Sequence, residues 1–184
     1  YLLVMNFTFY LMTQKGYSVL KYLCNNKRLS IISKVIIGTD KSIEKDYASG
    51  IKNLCVDFNI EYYKREEIYK IDSEYSIAIS WRWIIEDNTS KLIVLHDSIL
   101  PKYRGFAPLV NMLINKEPII GVTALYATDE YDKGDILAQK TTDIKYPIKI
   151  REAIEIISEV YIDVVSNIID DVIKNKSIIG VKQD

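Results

Sequence analysis

The sequence is poor in the residues that metal and thiol chemistry need. Among 184 residues there is one histidine, His96, and two cysteines, Cys24 and Cys55. Both cysteines lie in segments with helical periodicity, and no metal-ligand spacing links them. The sequence therefore predicts two buried, reduced thiols rather than a disulfide, and no bound metal.

The glycine motifs of the common nucleotide-binding and hydrolase folds are also missing. The first strand-to-helix turn carries one glycine, Gly16, so the G-x-G-x-x-G dinucleotide motif is absent. No G-x-x-x-x-G-K-[ST] or G-x-S-x-G sequence occurs. NAD binding, a P-loop and an α/β-hydrolase nucleophile are thereby excluded.

Charge and hydropathy exclude two further classes of partner. The net charge is -1 and the pI is about 6.0, which gives no broad basic surface for nucleic acid. The first dozen residues are mostly apolar, but this run is too short to span a bilayer and has no basic residues before it. We expect a cytoplasmic protein with no membrane or nucleic-acid partner, and a homodimer is left open.

Hydrophobic periodicity predicts strands that alternate with helices. Such alternation is typical of an α/β fold with a mostly parallel, twisted sheet and helices on both faces. Two strands on either side of the turn at Asp132 are predicted to form a hairpin at one edge. The predicted strands are 5–12, 33–38, 60–63, 75–81, 91–96, 121–127 and 135–144, and the predicted helices are 17–24, 43–58, 107–115 and 150–174.

The composition, 48% hydrophobic, suffices for one core. We expect a single domain over residues 5–175, with Met5 as the natural start and residues 1–4 as either a cloning remnant or upstream sequence. Residues 176–184 stop without a closing element, and we interpret them as the start of a truncated C-terminal extension.

Polar residues are concentrated in and after the fifth predicted strand. His96, Asp97 and Ser98 follow its apolar run, at the strand end where ligands bind in open α/β sheets. A loop, LPKYRG, continues to Gly105, and Pro108 is placed to begin a helix. An acidic D-x-G turn follows at Asp132.

This stretch, residues 92–139, resembles the formyltransferases that use 10-formyltetrahydrofolate. Their signature is similar to N-x-H-x-S-L-L-P-x-x-R-G, followed by a G-x-T strand and a D-x-G-x-[IL] turn. Here residues 94–105 read VLHDSILPKYRG, residues 121–123 read GVT, and residues 132–136 read DKGDI. The resemblance is strong over about a quarter of the chain and implies a Rossmann-like formyltransferase domain.

The resemblance implies a reaction and a pair of catalytic residues. An amine attacks the formyl carbon, and the tetrahedral intermediate carries an oxyanion that needs a donor. By resemblance, His96 acts as donor or acid beside the formyl oxygen, and Asp132 polarises His96 and accepts a proton. The alternatives without a catalytic role are that His96 is a structural histidine and that Asp132 is an ordinary turn aspartate.

Two expected residues are missing. The catalytic asparagine of the family falls on Val94, and a second frequent histidine falls on Leu125. Losing one oxyanion donor typically costs roughly 10²–10³ in turnover. Another donor could substitute (Ser98, Arg82 or a backbone N–H), the enzyme could be slow, or it could be catalytically silent. Because the sequence retains both His96 and Asp132, we favour the first outcome, in which another donor replaces the missing asparagine.

The resemblance also implies the ligand-binding residues. Two tryptophans after the fourth strand could stack on the pterin or serve as a hydrophobic plug, and their alternation predicts that at least one is core. The loop residues line the acceptor pocket or are solvated, and Asp97 and Ser98 could instead cap the turn. The predicted cofactor-binding residues are Ser80, Trp81, Arg82, Trp83, Leu100, Ala127, Thr128 and Asp129; the predicted substrate-binding residues are Ser98, Pro101, Lys102, Tyr103, Arg104 and Gly105.

The predicted function is formyl transfer from 10-formyltetrahydrofolate, as co-substrate, to a primary amine of a nucleotide-linked amino sugar. Methionyl-tRNA is less favoured as acceptor, because that branch relies on a basic surface and a further C-terminal domain. Two alternatives stay open: a hydrolase that releases formate from the same folate, and a catalytically silent folate- or nucleotide-binding relative.

Overall fold

The computed structural model describes residues 5–43, 45–86, 89–175 and 177–183. It contains a seven-stranded sheet, and the chain divides into a first unit that ends at Ile93 and a second unit that begins at Val94. The expected boundary of a single domain at residues 5–175 stays a prediction. Residues 1–4, 176 and 184, on which the predicted upstream and C-terminal segments partly fall, lie outside the described residues.

The first unit contains four parallel strands in the order β3-β2-β1-β4. The strand β1 is buried along its whole length, as expected of an apolar strand inside a parallel sheet. The helix α1 packs on β1 and on α2 through one apolar face that includes Val19, Leu20 and Leu23. The elements are β1 (Phe7–Leu11), α1 (Thr13–Asn25), a 3₁₀ turn (Leu29–Ile31), β2 (Ile32–Ile37), α2 (Ala48–Asp57), β3 (Tyr62–Lys64) and β4 (Tyr75–Ile79).

The strand β5 (Lys91–His96) crosses the boundary between the units and delivers His96 at its end. The helix α3 (Pro108–Ile114) follows, with Pro108 in its first turn as predicted. The strands β6 (Ile119–Tyr126) and β7 (Ile136–Asp143) pair antiparallel, which confirms the predicted hairpin. The helix α4 (Ile150–Asn175) packs its apolar face on both of these strands.

The predicted α/β class with a mostly parallel sheet is confirmed, but two helix starts are wrong. The helix α1 begins at Thr13 rather than at Tyr17, because the Gly16 N–H already donates to Met12 in its first turn. The helix α2 begins at Ala48 rather than at residue 43, because its N-cap residue, Tyr47, has a left-handed backbone (φ 61°) that interrupts a helix. The Asp46 carboxylate accepts from the Ala48 N–H in the local turn that precedes the helix. Both cysteines are buried free thiols, as predicted.

Candidate active site

The loop after β5 is held by a hydrogen-bonded network centred on Thr123 of β6. The fully buried Thr123 hydroxyl donates to the Ser98 carbonyl (2.7 Å) and accepts from the Leu100 N–H (3.2 Å). Gln139 of β7 donates to the same hydroxyl (2.7 Å) and to the Leu100 carbonyl (3.0 Å). The threonine of the G-x-T motif therefore fixes the backbone that follows His96.

Both ring nitrogens of His96 face oxygen atoms. The residue is 8% exposed, its Nε2 lies 2.8 Å from the Tyr103 carbonyl oxygen, and its Nδ1 lies 3.4 Å from Oδ1 of Asp132. A neutral imidazole has one N–H donor and one acceptor, whereas the imidazolium has two donors. Either ring nitrogen can therefore donate an N–H to the oxygen that faces it.

Asp132 is held by the turn and by the loop at once. Its Oδ2 accepts from the Gly105 N–H at 2.9 Å, so the second carboxylate oxygen anchors the R-G end of the loop. The backbone of Asp132 has φ 56°, a left-handed conformation in which Asp is among the better tolerated residues. A Cβ at Gly134 would lie 1.7 Å from the Tyr126 carbonyl oxygen, so the D-x-G turn needs its glycine.

Hydrocarbon side chains occupy the two positions where the resemblance implies a catalytic asparagine and a second histidine. Val94 is half-buried and Leu125 is 2% exposed. The buried Ser98 hydroxyl donates to the Lys102 carbonyl at 2.7 Å, and Arg82 forms an ion pair with Asp40. Ser98 and Arg82, the two side chains considered from the sequence as substitute oxyanion donors, therefore have other partners. The third possibility considered there, a backbone N–H, stays a prediction.

In the first unit, the segment after β4 lines an aromatic cleft of about 470 Å³. The Trp81 ring stands edge-on to Tyr10 and Trp83 at centroid distances of 5.2 Å each, and the Arg65 guanidinium lies 4.3 Å from the Trp83 ring centroid. Two buried N–H groups, Trp81 Nε1 and Arg65 Nε, have no hydrogen-bond partner. The prediction that one tryptophan is core is wrong, because both are half-buried walls of this cleft.

The neighbouring predicted residues are engaged within the first unit. The Ser80 hydroxyl accepts from Thr13 at 3.0 Å. Asp40, the partner of Arg82, also accepts hydrogen bonds from Ser42, and these bonds together with the arginine charge lower the pKa of Asp40. Arg82 is thus tethered beside the cleft.

The remaining predicted residues belong to the second unit. Tyr103 is half-buried, and its hydroxyl donates to Glu117 at 2.6 Å, which raises the pKa of Tyr103. Leu100 is 3% exposed, and its backbone N–H donates to the Thr123 hydroxyl. Solvent-exposed residues are Pro101, Lys102, Arg104 and Gly105 in the loop and Ala127, Thr128 and Asp129 after β6.

Three residues of the site were missed by the sequence analysis as functional residues. Thr123 was seen as part of a motif but given no role. Gln139 could have been found from the hairpin register, which places it opposite Thr123. Gln183, which donates to the Asp132 and Gly134 carbonyls, lies far along the chain and no sequence signal pointed to it.

Within the described part of the chain, no group of three or more His, Cys, Asp or Glu side chains could hold a metal ion. No helix in the same residues has both the length and the apolar character to cross a membrane.

Comparison with known proteins relates the chain to formyltransferases. It is 32% identical over 108 residues to the methionyl-tRNA formyltransferase of Ureaplasma parvum serovar 3, an alignment that covers 52% of this chain and 35% of the relative. A second methionyl-tRNA formyltransferase, from Streptococcus uberis, is 28% identical over 145 residues, or 69% of this chain and 46% of the relative. The chain thus spans a third to a half of these relatives.

A solved structure shows the same fold over nearly the whole chain. The N-formyltransferase of Helicobacter canadensis, in complex with folinic acid and dTDP-3-aminofucose, superposes with a TM-score of 0.75 at 18% identity. The superposition covers 98% of this chain and 68% of that protein.

A family model, the formyl transferase, matches residues 67–158, which are half of the chain and include β5, the site loop and the hairpin. The chain belongs to the formyl transferase family.

Proposed function

We propose that the protein transfers a formyl group from 10-formyltetrahydrofolate to a primary amine. The observation that carries the proposal is the pairing of His96 with Asp132, 3.4 Å apart, at the end of β5. The pair joins a strand end to a D-x-G turn, and the family motif occupies both places. The same pairing suits a reaction that needs one acid and one proton acceptor.

The chemistry follows from the orientation of the ring. The amine nitrogen attacks the formyl carbon, the carbonyl becomes an oxyanion, and the amine loses a proton. When this tetrahedral intermediate collapses, the C–N bond to the folate breaks, and the folate nitrogen leaves as a neutral amine after taking up that proton from Asp132 through water. His96 Nε2 donates to the oxyanion, while Asp132 holds Nδ1 and accepts the proton lost by the amine through water. Nε2 must therefore exchange the Tyr103 carbonyl, now 2.8 Å away, for the formyl oxygen.

The aromatic cleft of the first unit supports a folate co-substrate. A pterin is a flat ring edged with nitrogen and oxygen acceptors, and the cleft offers indole walls with two buried, unpartnered N–H donors, Trp81 Nε1 and Arg65 Nε. Leaving a buried donor unpaired costs about 1–3 kcal/mol, which a ligand acceptor would recover. The H. canadensis enzyme, similar over 98% of this chain, was solved with folinic acid.

The acceptor we favour is the amine of a nucleotide-linked amino sugar. The fold match to an enzyme in complex with dTDP-3-aminofucose supports this class, and the net charge of -1 offers a polyanion no general attraction. The relatives matched by sequence are methionyl-tRNA formyltransferases, so aminoacylated tRNA is the competing acceptor.

A catalytically silent relative is the second candidate, because Val94 carries no donor where the family has an asparagine and Ser98 and Arg82 have other partners. Such a protein would bind folate through the cleft and release no formylated product.

The experiment is a product assay with 10-formyltetrahydrofolate and three acceptors: a panel of nucleotide-linked amino sugars, methionyl-tRNA, and water. Formylated amino sugar supports the full proposal, and formylated methionyl-tRNA replaces the acceptor. Formate release without an amine identifies a hydrolase, and folate binding by calorimetry without turnover identifies the silent relative. Absence of folate binding would refute the proposal.

The variants Asp132→Asn and His96→Ala should each lower kcat at least about 10²-fold, because each removes a group that acts on the reacting atoms. Glu130→Gln is the matched control, since this exposed acid in the same turn pairs with Lys133. Equal loss in all three variants would contradict a specific role for Asp132.

A further inference from the structure

We propose that Gln183 is a positioning residue for Asp132, and that Arg104 aligns Gln183 for this task. Residues 178–183, here named the strap, lie against the Asp132 turn. The inference rests on the proposed function, because it assigns Gln183 to the same proton-handling pair.

The strap is attached to the hairpin by backbone hydrogen bonds. Ile136 at the start of β7 and Val181 exchange both N–H···O bonds, each 2.8 Å, so the strap adds an antiparallel bridge beside the turn. The Tyr126 hydroxyl, at the end of β6, donates to the Ile178 carbonyl at 2.8 Å. These contacts bring Gln183 to the side of the turn that carries Asp132.

The Gln183 amide bridges three groups of the site. Its Nε2 donates to the carbonyl oxygens of Asp132 (2.9 Å) and Gly134 (2.7 Å), on either side of the turn's central residue. Its Oε1 accepts from the Arg104 guanidinium through Nε at 3.2 Å and Nη2 at 2.7 Å. This orientation of the amide is fixed by its neighbours, because arginine has donors alone and carbonyls are acceptors alone.

This bridge holds a backbone that Asp132 adopts at a cost. Asp132 has φ 56°, and such left-handed conformations persist when the surroundings over-determine them. Gln183 fixes the carbonyl of Asp132, while the Gly105 N–H fixes its Oδ2. Arg104 and Gly105 are consecutive, so one loop segment contacts both the carboxylate and the amide that holds its backbone. The direction of Oδ1 toward His96 therefore depends on the strap.

The test compares Gln183→Leu, Gln183→Glu and the control Lys182→Ala, an exposed neighbour in the strap. Gln183→Leu removes both donations and should lower kcat about tenfold with little change in the KM for folate, since misplacement of a catalytic group affects the reacting step. Gln183→Glu keeps an acceptor for Arg104 but places a carboxylate, which cannot donate, beside the carbonyl oxygens of Asp132 and Gly134. It should therefore lower kcat at least as much as Gln183→Leu does. A Gln183→Glu variant with parental kcat would overturn the proposal.

A second readout does not depend on turnover. Because His96 is the one histidine in the sequence, its ring ¹⁵N and Cε1–H signals can be followed without ambiguity. At fixed pH, Gln183→Leu should move these signals in the same direction as Asp132→Asn, and Lys182→Ala should leave them in place. Signals unchanged in Gln183→Leu but moved in Asp132→Asn would refute the positioning role. If no acceptor is formylated, the proposed function fails while this readout still decides the role of Gln183.

Discussion

The site loop of the second unit and the aromatic cleft of the first unit differ in how they treat buried polar groups. In the second unit, the polar groups around the site loop satisfy one another: Thr123 makes three hydrogen bonds, and Ser98 and Asp132 each contact loop backbone. In the first unit, the aromatic cleft leaves Trp81 Nε1 and Arg65 Nε buried without partners.

This difference agrees with the proposed roles, a scaffold for the His96–Asp132 pair and a binding surface for folate. A satisfied network keeps one geometry and can hold His96 and Asp132 in place before substrate binds. An unsatisfied donor in a cleft costs stability until a ligand acceptor reaches it. Substitutions in the loop network should therefore change rate or stability, and those in the aromatic cleft should change ligand affinity.

The substitution Val94→Asn should raise kcat about 10–10²-fold. Asn restores an amide donor at the family position, and the side chains of Ser98 and Arg82 have other partners. Product formation is measured with Leu92→Asn as the control, because Leu92 lies two residues earlier on the same face of β5. No gain in Val94→Asn would mean that a backbone N–H already serves as the donor.

The substitution Thr123→Val should lower the free energy of unfolding by about 1–3 kcal/mol, because a buried hydroxyl with three partners is lost at nearly constant volume. Thr8→Val is the matched control, since this fully buried threonine of β1 makes one hydroxyl contact, with Ser73 at 2.8 Å. Urea unfolding measures both variants. Equal losses of unfolding free energy in the two variants would show that the three hydrogen bonds of Thr123 stabilise the protein no more than the single contact of Thr8. An unchanged kcat in Thr123→Val would show that the network does not position His96.

How far the sequence predicts this organisation can be judged from these residues. The order of strands and helices and the placement of His96 at the end of β5 followed from periodicity and motif. The start of α2 did not, because the left-handed backbone of Tyr47 interrupts the helix that the apolar spacing predicts. The half-buried state of both tryptophans did not either, because alternation says which face a side chain takes but not whether that face is filled. Contacts such as Gln183 to Asp132 join residues far apart in sequence and require the fold.

The substitution Trp81→Phe should weaken folate binding about two- to tenfold, because it removes the unpartnered indole N–H and keeps an aromatic wall. Calorimetric titration with a stable folate analogue measures the affinity. Trp83→Phe is the comparison variant, because the Trp83 N–H is not among the buried unpartnered donors. If both variants bind alike, stacking rather than hydrogen bonding governs the cleft. Stability should hardly change in Trp81→Phe, in contrast to Thr123→Val.

A further expected effect, confined to alkaline pH, concerns the thiols of the first unit. Burial raises the pKa of Cys55 from 9.0 to about 12 and that of Cys24 to about 11. Below pH 9 each thiol is protonated in both states and contributes nothing to pH dependence. As the pH rises above 9 the unfolded thiols ionise while the folded ones keep their protons, so the unfolded state is favoured.

Each thiol then lowers the free energy of unfolding by at most about 1.4 kcal/mol per pH unit. Cys55→Ala should therefore lose stability less steeply than the parent between pH 9 and 11, apart from a constant cost for the cavity. Urea unfolding at several pH values measures the two slopes. In the second unit, burial, and after it the Asp97 carboxylate that accepts from the Tyr161 hydroxyl, raises the pKa of Tyr161 well above 10. Tyr161→Phe should therefore flatten the curve at higher pH than Cys55→Ala does. Parallel curves for the parent and Cys55→Ala would mean that the Cys55 thiol ionises as readily in the folded chain as in the unfolded one.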